Sequence, residues 1–334
     1  MMSRGLLKSA GALPDNGQDM PAAEMEADFQ RAAHTDCVAN FLTELLLKRQ
    51  LRSGGWSFLG SRQSSIEATS LAVLALGLGA HARLSGIAHL LDSQRPDGGW
   101  PAFVGDSESC WATALALCAL NATGDFDPAR KKALHWLDAE RGREAHWLWR
   151  WKFRTVDRNV HFDPDKYGWP WGPGAASWVI PTAFSIIAIK QYTVCNRDDV
   201  SEQRIRVGIE MLLDRACVGG GWNSGNSVVY GVSLRPHVET TAIALLALQD
   251  EERSPAVCTG LAWLRNRAAS IESAESLAWC ILSLFVYREP VEQLKRVLAM
   301  KVGEGLGVQN VATVATALLA LKCGEIIHPF VVLR

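Results

Sequence analysis

The chain has 334 residues, a formal net charge of −1 and 48% hydrophobic residues. That is enough apolar material for a large core, and it lacks the basic footprint of a nucleic-acid binder. No run approaches the roughly eighteen uncharged apolar residues that read as a membrane-spanning helix. The cysteines (37, 110, 118, 195, 217, 258, 280 and 323) form no CxxC pair, and several fall on apolar helix faces. They read as buried free thiols in a reducing compartment.

Met1 to Asp19 has only Leu6 and Leu7 as an apolar pair and lacks the apolar region of a secretory signal. Residues 1–20 therefore read as a disordered lead-in, residues 21–334 as one domain, and the cytoplasm as the location, with a membrane-peripheral position left open. Self-similarity then dominates the chain. Gln50-Leu-Arg-Ser-Gly-Gly-Trp56 and Gln94-Arg-Pro-Asp-Gly-Gly-Trp100 share one spacing; Tyr167-Gly-Trp-Pro-Trp171 and Val218-Gly-Gly-Gly-Trp222 are divergent copies. Much of the excess of tryptophan, 13 against 4 tyrosines, lies in these turns and in one insertion.

A small-residue apolar helix follows each such turn. Six of these align without gaps, starting at Glu67, Trp111, Pro181, Glu239, Glu275 and Ala312. Their near-total apolarity implies burial on all sides. Charged, amphipathic segments lie between them, among them Lys131 to Leu137, Gln203 to Arg206 and Val291 to Arg296. Buried inner helices inside amphipathic outer ones predict an all-α toroid of six helix pairs, (α/α)6. In the turns, Gly-Gly permits positive φ where an outer helix stops, and the Trp and Gln side chains read as structural staples.

One stretch, at about 142–174, fits no repeat. It holds Ala145-His-Trp-Leu-Trp-Arg-Trp-Lys-Phe153 and the Asp163-Pro-Asp165 turn. It reads as a rim or lid at a cavity mouth, with contact to a membrane surface or a partner subunit as alternatives.

Gln-x-x-Asp-Gly-Gly-Trp followed by a Thr- and Ala-rich helix resembles the QW repeat of squalene–hopene and oxidosqualene cyclases. It equally resembles the repeats of protein farnesyl- and geranylgeranyltransferase β-subunits, over roughly residues 36–324. The resemblance implies a central apolar cavity at the starts of the inner helices, holding a polyprenyl or triterpenoid molecule. Arg235-Pro-His-Val-Glu-Thr-Thr-Ala242 lies over the Pro-Asp-x-Asp-Asp-Thr-Ala motif of class II cyclases. On that overlay Glu239 takes the place of the proton-donating Asp, while His237 and Thr240 replace its neighbours. Trp111, Trp178, Phe184, Tyr230 and Trp279, with Glu67 and Glu275, are the candidates to line the cavity. The competing reading is that Glu239 is a first-turn acid favoured by the helix dipole, because Glu67 and Glu275 hold the same repeat position.

Proton-initiated cyclisation or isomerisation needs no cofactor. Zinc enters only under the prenyltransferase alternative, in which Cys110 of Glu108-Ser109-Cys110 and His237 would be ligands. Magnesium would need an Asp-rich motif that the chain lacks. A third reading is an accessory protein that holds an isoprenoid or lipid without converting it.

Overall fold

The computed structural model describes residues 22–59, 63–157, 160–194, 198–251, 254–326 and 328–332, without side chains for 22–33 and 160–161. The expected lead-in at 1–20 lies outside the described residues. Six buried helices form an inner ring: α2 (Ile66–Ala75), α4 (Ala112–Asn121), α7 (Val179–Thr193), α9 (Val238–Ala247), α11 (Ala274–Val286) and α13 (Val311–Leu321). Each packs against the next, and α13 closes onto α2. The outer ring is α1 (Ala22–Arg49), α3 (His81–Asp92), α5 (Asp127–Ala139), α8 (Asp199–Asp214), α10 (Pro255–Ala268) and α12 (Glu292–Gly303). The outer helices α3, α5, α8, α10 and α12 each pack on the inner helix that precedes them, and α1 packs on α13. The fold is the all-α toroid. No helix among the described residues is long and apolar enough to cross a membrane.

The segment between α5 and α7 holds a short 3-10 turn (Arg143–Ala145), α6 (Trp147–Thr155) and strand β1 (Val160–His161). β1 pairs with β2 (Val228–Val229), and β2 with β3 (Val232–Ser233), all antiparallel. The β2–β3 hairpin belongs to the loop before α9. This small sheet therefore ties together the approaches to α7 and α9.

Four tryptophans fix the ring. The backbone N–H groups of Trp56, Trp100, Trp169 and Trp222 donate to the hydroxyls of Thr69, Thr113, Thr182 and Thr241, at 2.8 to 2.9 Å. Their indole N–H groups donate to the backbone carbonyls of Leu46, Leu90, Leu137 and Leu212 at the ends of outer helices. Each tryptophan thereby ties an outer helix end to an inner helix start, filling acceptor sites that a helix terminus leaves open. Gln94 adds a second tie, donating to Gly98 O and Ala129 O at 2.9 Å, and Gln50 does the same to Gly54 O and Ala82 O. At Gly98, φ is +95° and a Cβ would stand 2.5 Å from the Lys132 carbonyl, so only glycine fits the turn.

These bonds correct one register. The ungapped alignment set Pro181 beside Glu67, which would give Ala183 the role of Thr69. In the structure Thr182 fills that role, so Ile180, not Pro181, corresponds to Glu67. The signal was present in the sequence: Trp and Thr are 13 residues apart in the first three ties. The fourth is stretched to 19 by the hairpin.

Thr182→Val should leave the Trp169 N–H buried without an acceptor and cost about 1–3 kcal/mol, read as a lower urea midpoint. Thr113→Val should cost a similar amount. A neutral Thr182→Val would refute the corrected register.

Candidate active site

Three inner helices carry a glutamate as their second helical residue: Glu67 on α2, Glu239 on α9 and Glu275 on α11. At this position a helix N-terminus favours the carboxylate. Here burial and like charge outweigh it. The Glu67 carboxyl is pushed up to about 8, first by burial and then by Glu275 and Glu239. The Glu239 carboxyl is pushed up to about 7, by burial and then by Glu275. Thr313 Oγ1 donates to Glu275 Oε2 at 3.0 Å, which fixes that carboxylate from the neighbouring helix α13. All three glutamates keep some free surface although protein surrounds them, as side chains do when they face an interior space.

The corresponding residues on α4, α7 and α13 are Trp111, Ile180 and Ala312. Trp111 stands edge-on to Trp171 at 4.9 Å between centroids and lies 6.1 Å from Phe184. One turn deeper, Phe184 and Trp279 meet at 5.6 Å. Phe330 enters from the opposite end and packs on both, at 5.8 and 5.4 Å. The arrangement is an acid-rimmed well with an aromatic floor.

The floor was not foreseen. Two turns beyond the glutamates the inner helices carry Ala75, Ala119, Ala188, Ala247, Ser283 and Ala320. These small residues leave room on the axis for the segment after α13. His328 in that segment is buried, stacked on Phe285 with 4° between the ring planes, and shares a proton with Leu282 O at 3.2 Å. Burial pushes its imidazole down to about 4, so it is neutral.

The expected site residues divide. Glu239, Glu67, Glu275, Trp111, Phe184 and Trp279 converge on the well. Trp178 and His237, expected in the same cavity, instead line a side pocket of about 440 Å³ with Phe153, Phe162, Arg215 and Glu144. His237 caps α9 from an exposed position and makes no side-chain hydrogen bond to Glu239 among the described residues. Glu239 is shifted by burial and Glu275 instead. Thr240 is buried, and adjacent residues on a helix do not share a face, so it does not flank the Glu239 carboxyl. Tyr230 is 75% exposed at the hairpin tip with φ of 52°, outside the well.

Cys110 and His237, the ligand pair of the zinc alternative, sit before α4 and α9, and α7 stands between those helices in the ring. Burial pushes the Cys110 thiol up to about 11, away from the thiolate that zinc requires. Among the described residues no group of three or more His, Cys, Asp or Glu side chains is arranged to hold a metal.

No protein-family model matches the sequence, and no curated protein matches it significantly. Solved structures do. A variant of the type II terpene cyclase MstE from Scytonema, in complex with merosterolic acid A as product, superposes with a TM-score of 0.60 at 16% identity, over 91% of this chain and 99% of that one. A second MstE variant, holding geranylgeranyl dihydroxybenzoate as substrate, gives 0.58 at 16% identity over 88% and 98%. An alpha-amylase from Clostridium perfringens gives 0.56 at 9% identity over 86% and 98%. At such identities the likeness is one of fold.

The two raised carboxyls make stability depend on pH. In the unfolded chain both would titrate near 4.5, so the folded state binds protons more tightly. Their contribution is complete below about 4.5 and is lost as pH rises, through about 7 for Glu239 and about 8 for Glu67. Glu67→Gln should therefore raise the melting temperature at pH 8.5 and leave it nearly unchanged at pH 5. An equal shift at both pH values would contradict the assignment.

Proposed function

We propose that the chain is a terpene cyclase-like enzyme of the type II kind, which starts its reaction by protonating a polyprenyl substrate. Glu239 is the proton donor on this reading. The observation that carries it is the coupled Glu67–Glu239–Glu275 rim above an aromatic floor. A carboxyl held near 7 keeps a substantial share of its proton at neutral pH, and Glu67, held near 8, is protonated beside it. Once the proton has moved, the faces of Phe184, Trp279 and Trp111 stabilise the cation, by about 2 kcal/mol or more per contact when water is excluded.

The same shift bears on the substrate. Each unit by which a carboxyl is raised makes it a weaker donor by about 1.4 kcal/mol. Glu239 is thus suited to a first acceptor more basic than an isolated alkene, and an epoxide oxygen meets that requirement. The QW-type repeats and the squalene–hopene cyclase resemblance support a polyprenyl chain as the body of the substrate.

Glycoside hydrolysis is the second reading. It too uses a protonated carboxyl beside an ionised one, and one toroid of similar shape is an alpha-amylase. The floor of Phe184, Trp279 and Phe330 offers sugar hydroxyls few partners, which favours the terpenoid.

The test is to incubate the chain with squalene, oxidosqualene, and farnesyl and geranylgeranyl diphosphates, and with a maltooligosaccharide, followed by mass spectrometry. A cyclised product is expected, the epoxide reacting fastest, and Glu239→Gln should lower its formation at least about a hundredfold. Wild-type turnover by Glu239→Gln would remove Glu239 from the mechanism. Cleavage of the oligosaccharide alone would replace the terpenoid reading with the hydrolytic one.

A further inference from the structure

The opposite end of the ring holds a second cavity, of about 580 Å³. Its walls are the last turns of α2, α4 and α7 together with the segment after α13, including Leu74, Leu76, Asn121, Val194 and Val331. The aromatic floor of Phe184, Trp279 and Phe330 lies on the axis between the two ends of the ring, so this cavity is distinct from the acid-rimmed well.

One polar atom in it has no partner. Gln191 donates from Nε2 to Pro329 O at 2.7 Å and to Val331 O at 3.2 Å, which orients the amide. The other atom of that amide, Oε1, is buried and accepts no hydrogen bond among the described residues. A buried acceptor left in this way costs about 1–3 kcal/mol, which a ligand with a donor would recover.

The charges around the cavity narrow the ligand class. The last turns of three helices present carbonyl oxygens with partial negative charge, which disfavours a carboxylate or phosphate. The Arg83 guanidinium, buried in the same wall, disfavours an amine. At the rim Lys322 and Glu325 offset each other. A neutral molecule with an apolar body and a single hydroxyl satisfies both constraints.

We propose that this cavity is a binding site for an apolar alcohol, a hydrocarbon chain or fused ring bearing one hydroxyl, whose O–H donates to Gln191 Oε1. The proposal does not depend on the acid end of the ring.

Gly77 supplies a clean block. It lines the cavity, its φ is not in the left-handed region, and a Cβ added there meets nothing within 4 Å. A leucine would extend into open space rather than into the protein. Binding of farnesol and of farnesyl methyl ether, which lacks the donor, should be measured by calorimetry on the full chain. Wild type is expected to bind the alcohol roughly tenfold more tightly than the ether. Gly77→Leu should weaken farnesol binding at least about tenfold, and Gln191→Met should abolish the preference for alcohol over ether. Equal affinity for alcohol and ether in wild type would overturn the proposal, as would full-affinity farnesol binding by Gly77→Leu or no saturable binding at all. Gly77→Leu leaves the acid rim untouched, so its result is independent of product formation by Glu239→Gln.

Discussion

A threonine hydroxyl in the first turn of an inner helix, accepting the N–H of a tryptophan, is the contact on which the ring depends. It appears at Thr69, Thr113, Thr182 and Thr241. Each bond sets the rotation of an inner helix about its own axis, and so decides which residues look inward. A one-residue slip would turn a helix by about 100° and carry Glu67 or Glu239 off the rim. Backbone stapling and the placement of acid groups are therefore one constraint.

Once the rotations are set, convergence of carboxylates follows from symmetry. Equivalent residues on a ring of helices point toward a common axis, and three of the six are glutamate. Their mutual repulsion and burial oppose the helix dipoles at the same spot, and the result is retention of protons near neutral pH. Thr313, from the fourth tie's counterpart on α13, instead holds Glu275. The last repeat has thus given its staple hydroxyl to the site.

Much of this was legible in the sequence because repeats expose what single motifs hide. Six apolar helix segments and four Gly-Trp turns specify the double ring, and their alignment places Glu67, Glu239 and Glu275 at one depth. Gap-free alignment failed at Pro181 because small apolar helices look alike under a one-residue shift; only the Trp-to-Thr distance resolves it. The overlay on the cyclase motif gave His237 and Thr240 roles that helix geometry denies them, since neighbours in a linear motif point in different directions on a helix. The segment carrying His328 and Phe330 was missed for the opposite reason. It belongs to no repeat, and its place depends on the alanines of six separate helices.

That segment gives the toroid two unlike ends. One is open and acidic, and the other is stoppered by Phe330 beneath Phe184 and Trp279. The floor lies one helical turn below the glutamates, a depth of about 6 Å. A long flexible molecule admitted at the open end cannot thread through the ring as a strand passes through a bead. It meets a wall, and whatever exceeds that depth must double back. A hydrocarbon chain forced to double back brings distant parts of itself side by side, so a blind end favours the joining of a molecule to itself over its joining to another.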